Sequence, residues 1–350
     1  MNSRETLWIS HSAITDFNNC ARLYYFKNVY RQPQTGNRVQ IASPYLSLGS
    51  AVHSAIDELV NLSPSQRKRK SLLKVFEQKW LGYRGKRGGF FSNKQESEFK
   101  KRGIRMIKIF QKSTLLLKKS LKKEENLLKM ELLPGVELVG SWDWIEIFPD
   151  NSLHIIDFKT GQNKEKNQSL QLPIYNILIR HHYPQKIKKS SYWYLERDPK
   201  PVPKKIENSK KALLKITEKA QEIKKAVENF NFSCHSSYRR CFWCQKYETI
   251  LSGKAEYIDT DQETKKDIYY LSNGEEVIRK IYDEEFLNQE EKDILKMKMD
   301  RRPTKELGDL LEMTSQQVGE IVFKIKTKIK DNLSNRELKV FVEALGKNGK

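Results

Sequence analysis

Residues 140–161 read GSWDWIEIFPDNSLHIIDFKTG, and the fold turns on them. Two strand-like runs flank Pro149-Asp150-Asn151, a combination that makes a turn, so the stretch predicts two neighbouring antiparallel strands. Asp157 and Lys159 stand two apart on the second strand, and period-two geometry sends both side chains to one face. Asp143 lies within the first, where antiparallel pairing can bring it beside them. Two carboxylates held side by side repel, and a divalent cation relieves that repulsion. Oxygen ligands of this kind suit Mg2+ or Mn2+, which polarise phosphoryl oxygens, while a nearby lysine can orient a water or stabilise charge growing on a phosphate. Taken alone, Asp-x13-Asp-x-Lys also describes a hairpin carrying solvated charges.

Reading outward, residues 127–133 (LLKMELL) and 136–148 (VELVGSWDWIEIF) form strands around a Pro134-Gly135 turn, and with 153–158 they predict a three-strand meander. A helix follows over 168–180, a strand over 191–197 and a lysine-rich helix over roughly 207–230. Upstream, residues 10–30 read as a short helix carrying Ile14, Phe17, Leu23, Tyr24 and Phe26, and 47–60 has apolar residues at helical spacing. Residues 66–130 predict basic amphipathic helices around a loop at Gly82–Gly89. This order implies an α/β core with a mixed central sheet flanked by helices. Residues 250–286 read as a linker with one hairpin turning at Asn273-Gly274, and 287–350 as a small all-α domain. The expected division is therefore 1–249, 250–286 and 287–350.

Lys and Arg outnumber Asp and Glu by 65 to 44, a net charge of +21. Such an excess favours a polyanionic partner, although a basic solvated surface would carry it too. Mean hydropathy is −0.72, and no apolar run reaches the length of a bilayer span. Residues 1–10 lack the layout of a signal peptide, and no lipidation signal is present. The expectation is a cytoplasmic protein that meets nucleic acid and no membrane.

Further pieces join the central stretch in order: SHSAITDFNNCARLYYF at 10–26, LGSAVH at 48–53, MELLPGVELVGSWDWIEI at 130–147, HIIDFKTG at 154–161, QLPIY at 171–175 and CFWC at 241–244. The chain at this point resembles the RecB-like branch of the PD-(D/E)xK nucleases, which includes exonuclease domains of recombination helicases and the CRISPR-adaptation nucleases. The resemblance implies a restriction-endonuclease-like core and a metal-dependent deoxyribonuclease acting in DNA repair, recombination or defence. It implies that His53, Asp143 and Asp157 ligate the metal with the carbonyl of Phe158, and that Lys159 serves the attacking water. Gln171 and Tyr175, four apart and so on one helix face, would shape the site and contact the DNA. Glu131 would stand behind the ligands. No helicase motor motif is present, so a helicase, or another recombination or defence protein, would be a partner.

Four cysteines, Cys20, Cys234, Cys241 and Cys244, flank these motifs, three of them within one short stretch. Clustered cysteines in a cytosolic chain suggest a metal site more than disulfides. The resemblance implies a 4Fe-4S cluster held by these four thiolates. The spacing departs from the family's usual pattern: no cysteine follows Cys244 closely, and Cys234 precedes the pair as Cys-x6-Cys-x2-Cys. Zinc is the alternative, with His235 a further candidate ligand.

Near the C-terminus, Asn288 with Glu291 and Thr314 with Gln317 have capping-box spacing. Ile294, Leu295, Leu307, Leu310, Leu311, Val318, Ile321, Val322 and Ile325 would close a three-helix core. This part resembles the helix-turn-helix of sigma-factor region four and LuxR-type regulators. The resemblance implies a second helix over Lys305–Glu312 and a recognition helix from Ser315 to about Lys330, with Lys324, Lys326, Lys328 and Lys330 meeting phosphates and Gln316 and Gln317 meeting base edges. A helical bundle for protein contact is the alternative. For the whole chain, the alternatives to a nuclease are a catalytically inactive DNA-binding regulator on the same fold and a zinc-stabilised adaptor.

Overall fold

The computed structural model describes residues 6–123, 127–161, 163–165, 168–206, 208–234, 241, 243–271, 277, 281, 286–299, 302–333, 337–338 and 341. In chain order the strands are β1 (Leu7–Ile9), β2 (Arg38–Ile41), β3 (Leu128–Leu133), β4 (Val136–Gly140), β5 (Trp144–Ile147), β6 (Leu153–Lys159), β7 (Ile187–Tyr194), β8 (Val202–Pro203), β9 (Glu256–Asp261) and β10 (Lys266–Tyr270). The helices are α1 (His11–Asn19), α2 (Ala21–Tyr24), α3 (Pro44–Val60), α4 (Pro64–Arg69), α5 (Leu72–Trp80), α6 (Asn93–Gln111), α7 (Gln171–His182), α8 (Ser209–Glu228), α9 (Gln245–Leu251), α10 (Gln289–Met299), α11 (Thr304–Leu311) and α12 (Ser315–Asn332). They divide into two discontinuous units, 1–18 with 43–232, and 19–42 with 233–350.

The first unit is mixed α/β. Its larger sheet runs β5-β6-β7-β8, with β6 antiparallel to β5 and parallel to β7. A second sheet, β1-β4-β3, pairs β1 parallel and β3 antiparallel to β4. The expected three-strand meander is thus corrected: the run 136–148 is two strands in two sheets, broken at Ser141, Trp142 and Asp143. Trp142 is buried at the break, and the Asp143 side chain accepts the Phe158 amide at 2.8 Å where backbone pairing to β6 has stopped. A strand crossing to a second sheet gives up ladder hydrogen bonds, and a carboxylate here supplies one in their place.

Strand alternation fixes what β6 does on each face. Phe158 points away from Asp157 and Lys159 and closes a buried aromatic cluster with Phe110 of α6 and Trp193 of β7, at ring separations of 5.4 and 5.8 Å. Removing such a ring costs about 3–5 kcal/mol, so the strand carrying the two polar residues is anchored from behind. Gly140, ending β4, lets α7 come close: a Cβ there would meet Leu178 at 2.9 Å and the Tyr175 ring at 3.6 Å. Gly135 serves the β3–β4 turn with φ +74°, where a side chain is strained.

Part of the basic stretch 66–130 is internal. Arg67 is buried over the Trp144 ring at 4.6 Å and donates to the carbonyls of Leu59, Val60 and Lys118. Arg102 makes a bidentate pair with Glu196, Nε to Oε1 at 3.2 Å and Nη2 to Oε2 at 2.8 Å. Helix ends at Gln111, and residues 118–123 are extended, with Ser120 bridged to Glu146. The helix expected over 10–30 also breaks, at Cys20, whose backbone is extended at φ −170° and ψ 126°.

The second unit holds the sheet β2-β10-β9, in which residues 38–41 pair parallel with 266–269. Residues 250–286 therefore contain a hairpin, β9–β10, turning over 262–265; the turn expected at Asn273-Gly274 lies outside the described residues. The helices α10, α11 and α12 share a core of Ile294, Leu295, Leu307, Val318, Ile325 and Ile329. Leu310, expected in that core, is exposed. Both capping boxes form: Asn288 with Glu291, and Thr314 with Gln317. No helix among the described residues is long and apolar enough to cross a membrane.

Candidate active site

The central strand β6 carries two buried polar side chains, and they are treated differently. His154 has both nitrogens engaged, Nδ1 with Glu146 at 3.0 Å and Nε2 with Ser191 at 2.7 Å. Asp157 has one oxygen bound by Gln171 Nε2 at 2.9 Å, while Oδ2 is buried against a cation. Its cationic neighbour is Lys159 Nζ at 3.1 Å. Buried polar atoms are almost always satisfied, and His154 belongs to a closed structural network, whereas the Asp157 carboxylate is balanced by a charge that itself reaches the other site residues.

The structure brings the other expected residues to that point. His53, on the face of α3 beside the buried Val52 and Ile56, places Nδ1 3.1 Å from Asp143 Oδ1. Gln171 opens α7, accepts from Lys159 Nζ, and donates to Tyr175 Oη at 3.2 Å one turn on. Glu131 is not among them: it is exposed on β3 of the other sheet, with no hydrogen bond joining it to the site. The reason is the broken strand, which puts β3 and β6 in different sheets.

Glu165 was not foreseen. It pairs with Lys159 Nζ at 3.0 Å, and its amide donates to Tyr194 Oη at 2.6 Å. Tyr192, in register with Asp157 on β7, lies with its ring 5.1 Å from Lys159 Nζ. His11 is 3.4 Å from Ser169. Loop residues such as Glu165 carry no periodic signal; the register partner Tyr192 could have been found from the pairing of the two strands.

Charge is strained here. Burial, and then the neighbouring Asp143, push the Asp157 carboxyl up to about 7. Burial pushes His53 down, but Asp143 and Asp157 outweigh it and hold the imidazole at about 9. Burial opposes the charge on Lys159 as well, yet Asp157 and Glu165 raise its pKa overall. Burial of His11, reinforced by Lys159, lowers that imidazole to about 4 against the pull of Glu165. A carboxylate that resists ionisation beside another carboxylate is relieved by a cation. The donor set of two carboxylates and an imidazole has the chemistry of a divalent-metal site.

The four cysteines also converge. Cys20 and Cys234 sulfurs are 3.7 Å apart, Cys244 and Cys234 3.8 Å, and all four sulfurs lie within 4.8 Å of one another. The Cys241 sulfur takes hydrogen bonds from the backbone amides of Cys244 and Trp243. Leu23, Phe26, Val39, Tyr247, Ile250 and Tyr269 bury the group. These thiols can hold a metal; His235 lies outside the described residues.

Asp157 and Lys159 at the carboxyl end of β6, with Asp143 just before the neighbouring β5, stand on a mixed α/β core. The chain belongs to the PD-(D/E)XK nuclease superfamily, whose family model matches residues 8–250. Members of that superfamily are generally nucleases and usually use divalent metals. A comparison with curated proteins finds no match.

Proposed function

We propose that the chain is a metal-dependent deoxyribonuclease of the RecB-like branch that hydrolyses phosphodiester bonds. The observation that carries this is the convergence of His53, Asp143, Asp157 and Lys159 around two buried, adjacent carboxylates. His53, Asp143, Asp157 and the Phe158 carbonyl would hold Mg2+ or Mn2+. That ion supplies Lewis-acid polarisation of the phosphoryl oxygen and activates water. Lys159, steered by Gln171 and Glu165, orients the attacking water and offsets charge growing on the phosphate. Gln171 holds Asp157 and Tyr175 together and shapes the approach of the strand.

The helix-turn-helix reading of α10–α12 adds a DNA contact. Lys324, Lys326 and Lys330 are exposed on α12, whereas Lys328 is tied to Glu291 at 2.7 Å. Gln317 is taken by its cap, so Gln316, which donates to Glu320 at 3.3 Å, is the glutamine proposed to meet base edges. We place the activity in DNA repair, recombination or defence in the cytoplasm, with a helicase or similar protein as partner. Digestion of end-labelled linear, circular and single-stranded DNA with Mg2+ or Mn2+, by the wild type and by Asp157→Asn, tests the reading. Metal-dependent cleavage by the wild type alone supports it; cleavage by both, or by neither, overturns it.

A further inference from the structure

The sulfur atoms of Cys20, Cys234, Cys241 and Cys244 are spaced for one small ion. The contacts at 3.7 and 3.8 Å are close to the edge of a tetrahedron with metal–sulfur bonds of about 2.3 Å, which is about 3.8 Å. Four points all within 4.8 Å of one another have a centre no more than about 2.9 Å from each. A 4Fe-4S cluster does not fit that space. It puts a different iron behind each thiolate and a body of eight atoms between them, so its thiolates stand well out of contact with one another. Here two pairs are at sulfur–sulfur van der Waals distance.

The local fold agrees with a single ion. Cys241 and Cys244 form a Cys-x2-Cys knuckle whose Trp243 and Cys244 amides point at the Cys241 sulfur, which neutralises part of the charge of a thiolate bound to one metal. Cys244 leads straight into α9, and Ile250 of that helix packs into the apolar wall of the group. The side of the site beyond the knuckle is thus closed by hydrocarbon, and the fourth sulfur comes from Cys234.

We propose that these four thiolates bind one tetrahedral zinc ion in place of an iron–sulfur cluster; this rests on the reading that they hold a metal. Four thiolates fill the coordination shell and leave no position for water or substrate, so the ion is structural. Zinc has no redox chemistry, so the chain would keep its fold in air where an iron–sulfur protein would lose it.

The test is the metal content of the full chain, purified once aerobically and once anaerobically from cells supplied with iron and sulfide. The expected result is a colourless protein with one zinc per chain and no acid-labile sulfide in both preparations. Exchange of the zinc for Co2+ should give the visible bands of a tetrahedral cobalt thiolate. A brown anaerobic preparation with stoichiometric iron and sulfide overturns the proposal, and so does a chain with no metal. Cys234→Ser should lose zinc and the cobalt bands; a full complement with an unchanged spectrum would also overturn the four-thiolate site. Asp157→Asn keeps the zinc if it sits on the cysteines. A zinc-bearing wild type that fails to cut DNA defeats the nuclease reading alone, and a brown chain that cuts defeats the zinc proposal alone.

Discussion

The carboxylate site and the cysteine site are assembled in opposite ways. Most of the first comes from residues 143–175, one short piece of chain, with His53 brought in by α3. The second joins Cys20 to Cys234, 214 positions later. The first buries one carboxylate beside another, so that its charges oppose one another. The second is wrapped in apolar side chains, with its sulfurs in mutual contact. Neighbouring residues can be held in an uncomfortable arrangement because the sheet already fixes them, as a chemical site needs. Residues far apart in sequence are joined where the joining itself stabilises the fold, since a clip across a long loop restrains the unfolded chain most.

Four experiments can break or sharpen that contrast. The largest effect should come from Lys159→Ala, which removes the cation beside Asp157. Turnover should fall by about 10²–10³-fold with the melting temperature nearly unchanged, as read by single-turnover cleavage and thermal unfolding. A loss of stability instead would make the carboxylate site structural like the other. Cys20→Ala should do the reverse. Loss of metal-coupled folding should lower the melting temperature by about 10 °C or more, while the folded fraction, measured by active-site titration, keeps its specific activity.

A third experiment uses the satisfied polar network on β6 as the control. The Glu146 carboxyl is buried, which raises its pKa, but His154 and Lys118 outweigh this and hold it below the usual range. A depressed carboxyl contributes stability that is present above the unfolded value near 4.5 and lost as pH falls through the lower folded one. Burial also lowers the pKa of His154, so its share fades as pH falls below about 6.5. Glu146→Gln should therefore cost about 1–3 kcal/mol near neutral pH, a gap that narrows in urea titrations taken towards pH 4. A gap that widens in acid would reverse the assigned sign. The smallest effect should follow Lys326→Ala. DNA affinity should drop slightly, and the slope of log affinity against log salt should become shallower by about 0.9. An unchanged slope would remove that lysine from the phosphate contacts.

Much of the carboxylate site was legible because its logic is periodic. Asp157 and Lys159 share a strand face and Gln171 and Tyr175 a helix face, and the structure places all four together. Asp143 was legible as a neighbour but not as the residue at a break, because nothing local in VELVGSWDWIEIF reports that its halves enter different sheets. The same blindness misplaced Glu131. Glu165 was missed because loops carry no period. That Arg67 and Arg102 of the basic stretch 66–130 turn inward was not legible, because charge alone does not reveal whether a guanidinium lies over Trp144 or is clasped by Glu196. The hairpin β9–β10 was missed for a different reason. Its polar strand β9 lacks apolar alternation, and it is held through β10 by a partner more than two hundred residues earlier.

The discontinuity of the two units has a consequence for the chain as it leaves the ribosome. Residues 19–42 belong with 233–350, so β2 cannot find its partner β10, nor Cys20 the pair Cys241 and Cys244, until synthesis has passed them. At about 5–20 residues per second, the early segment waits roughly 10–40 s with Leu23, Phe26, Val39 and Ile41, all buried in the finished fold, still exposed. The first unit, 1–18 with 43–232, is meanwhile complete once residue 232 has emerged. The nascent chain is therefore most vulnerable to aggregation and to thiol oxidation in residues 19–42, and the synthesis of 241–270 ends that exposure.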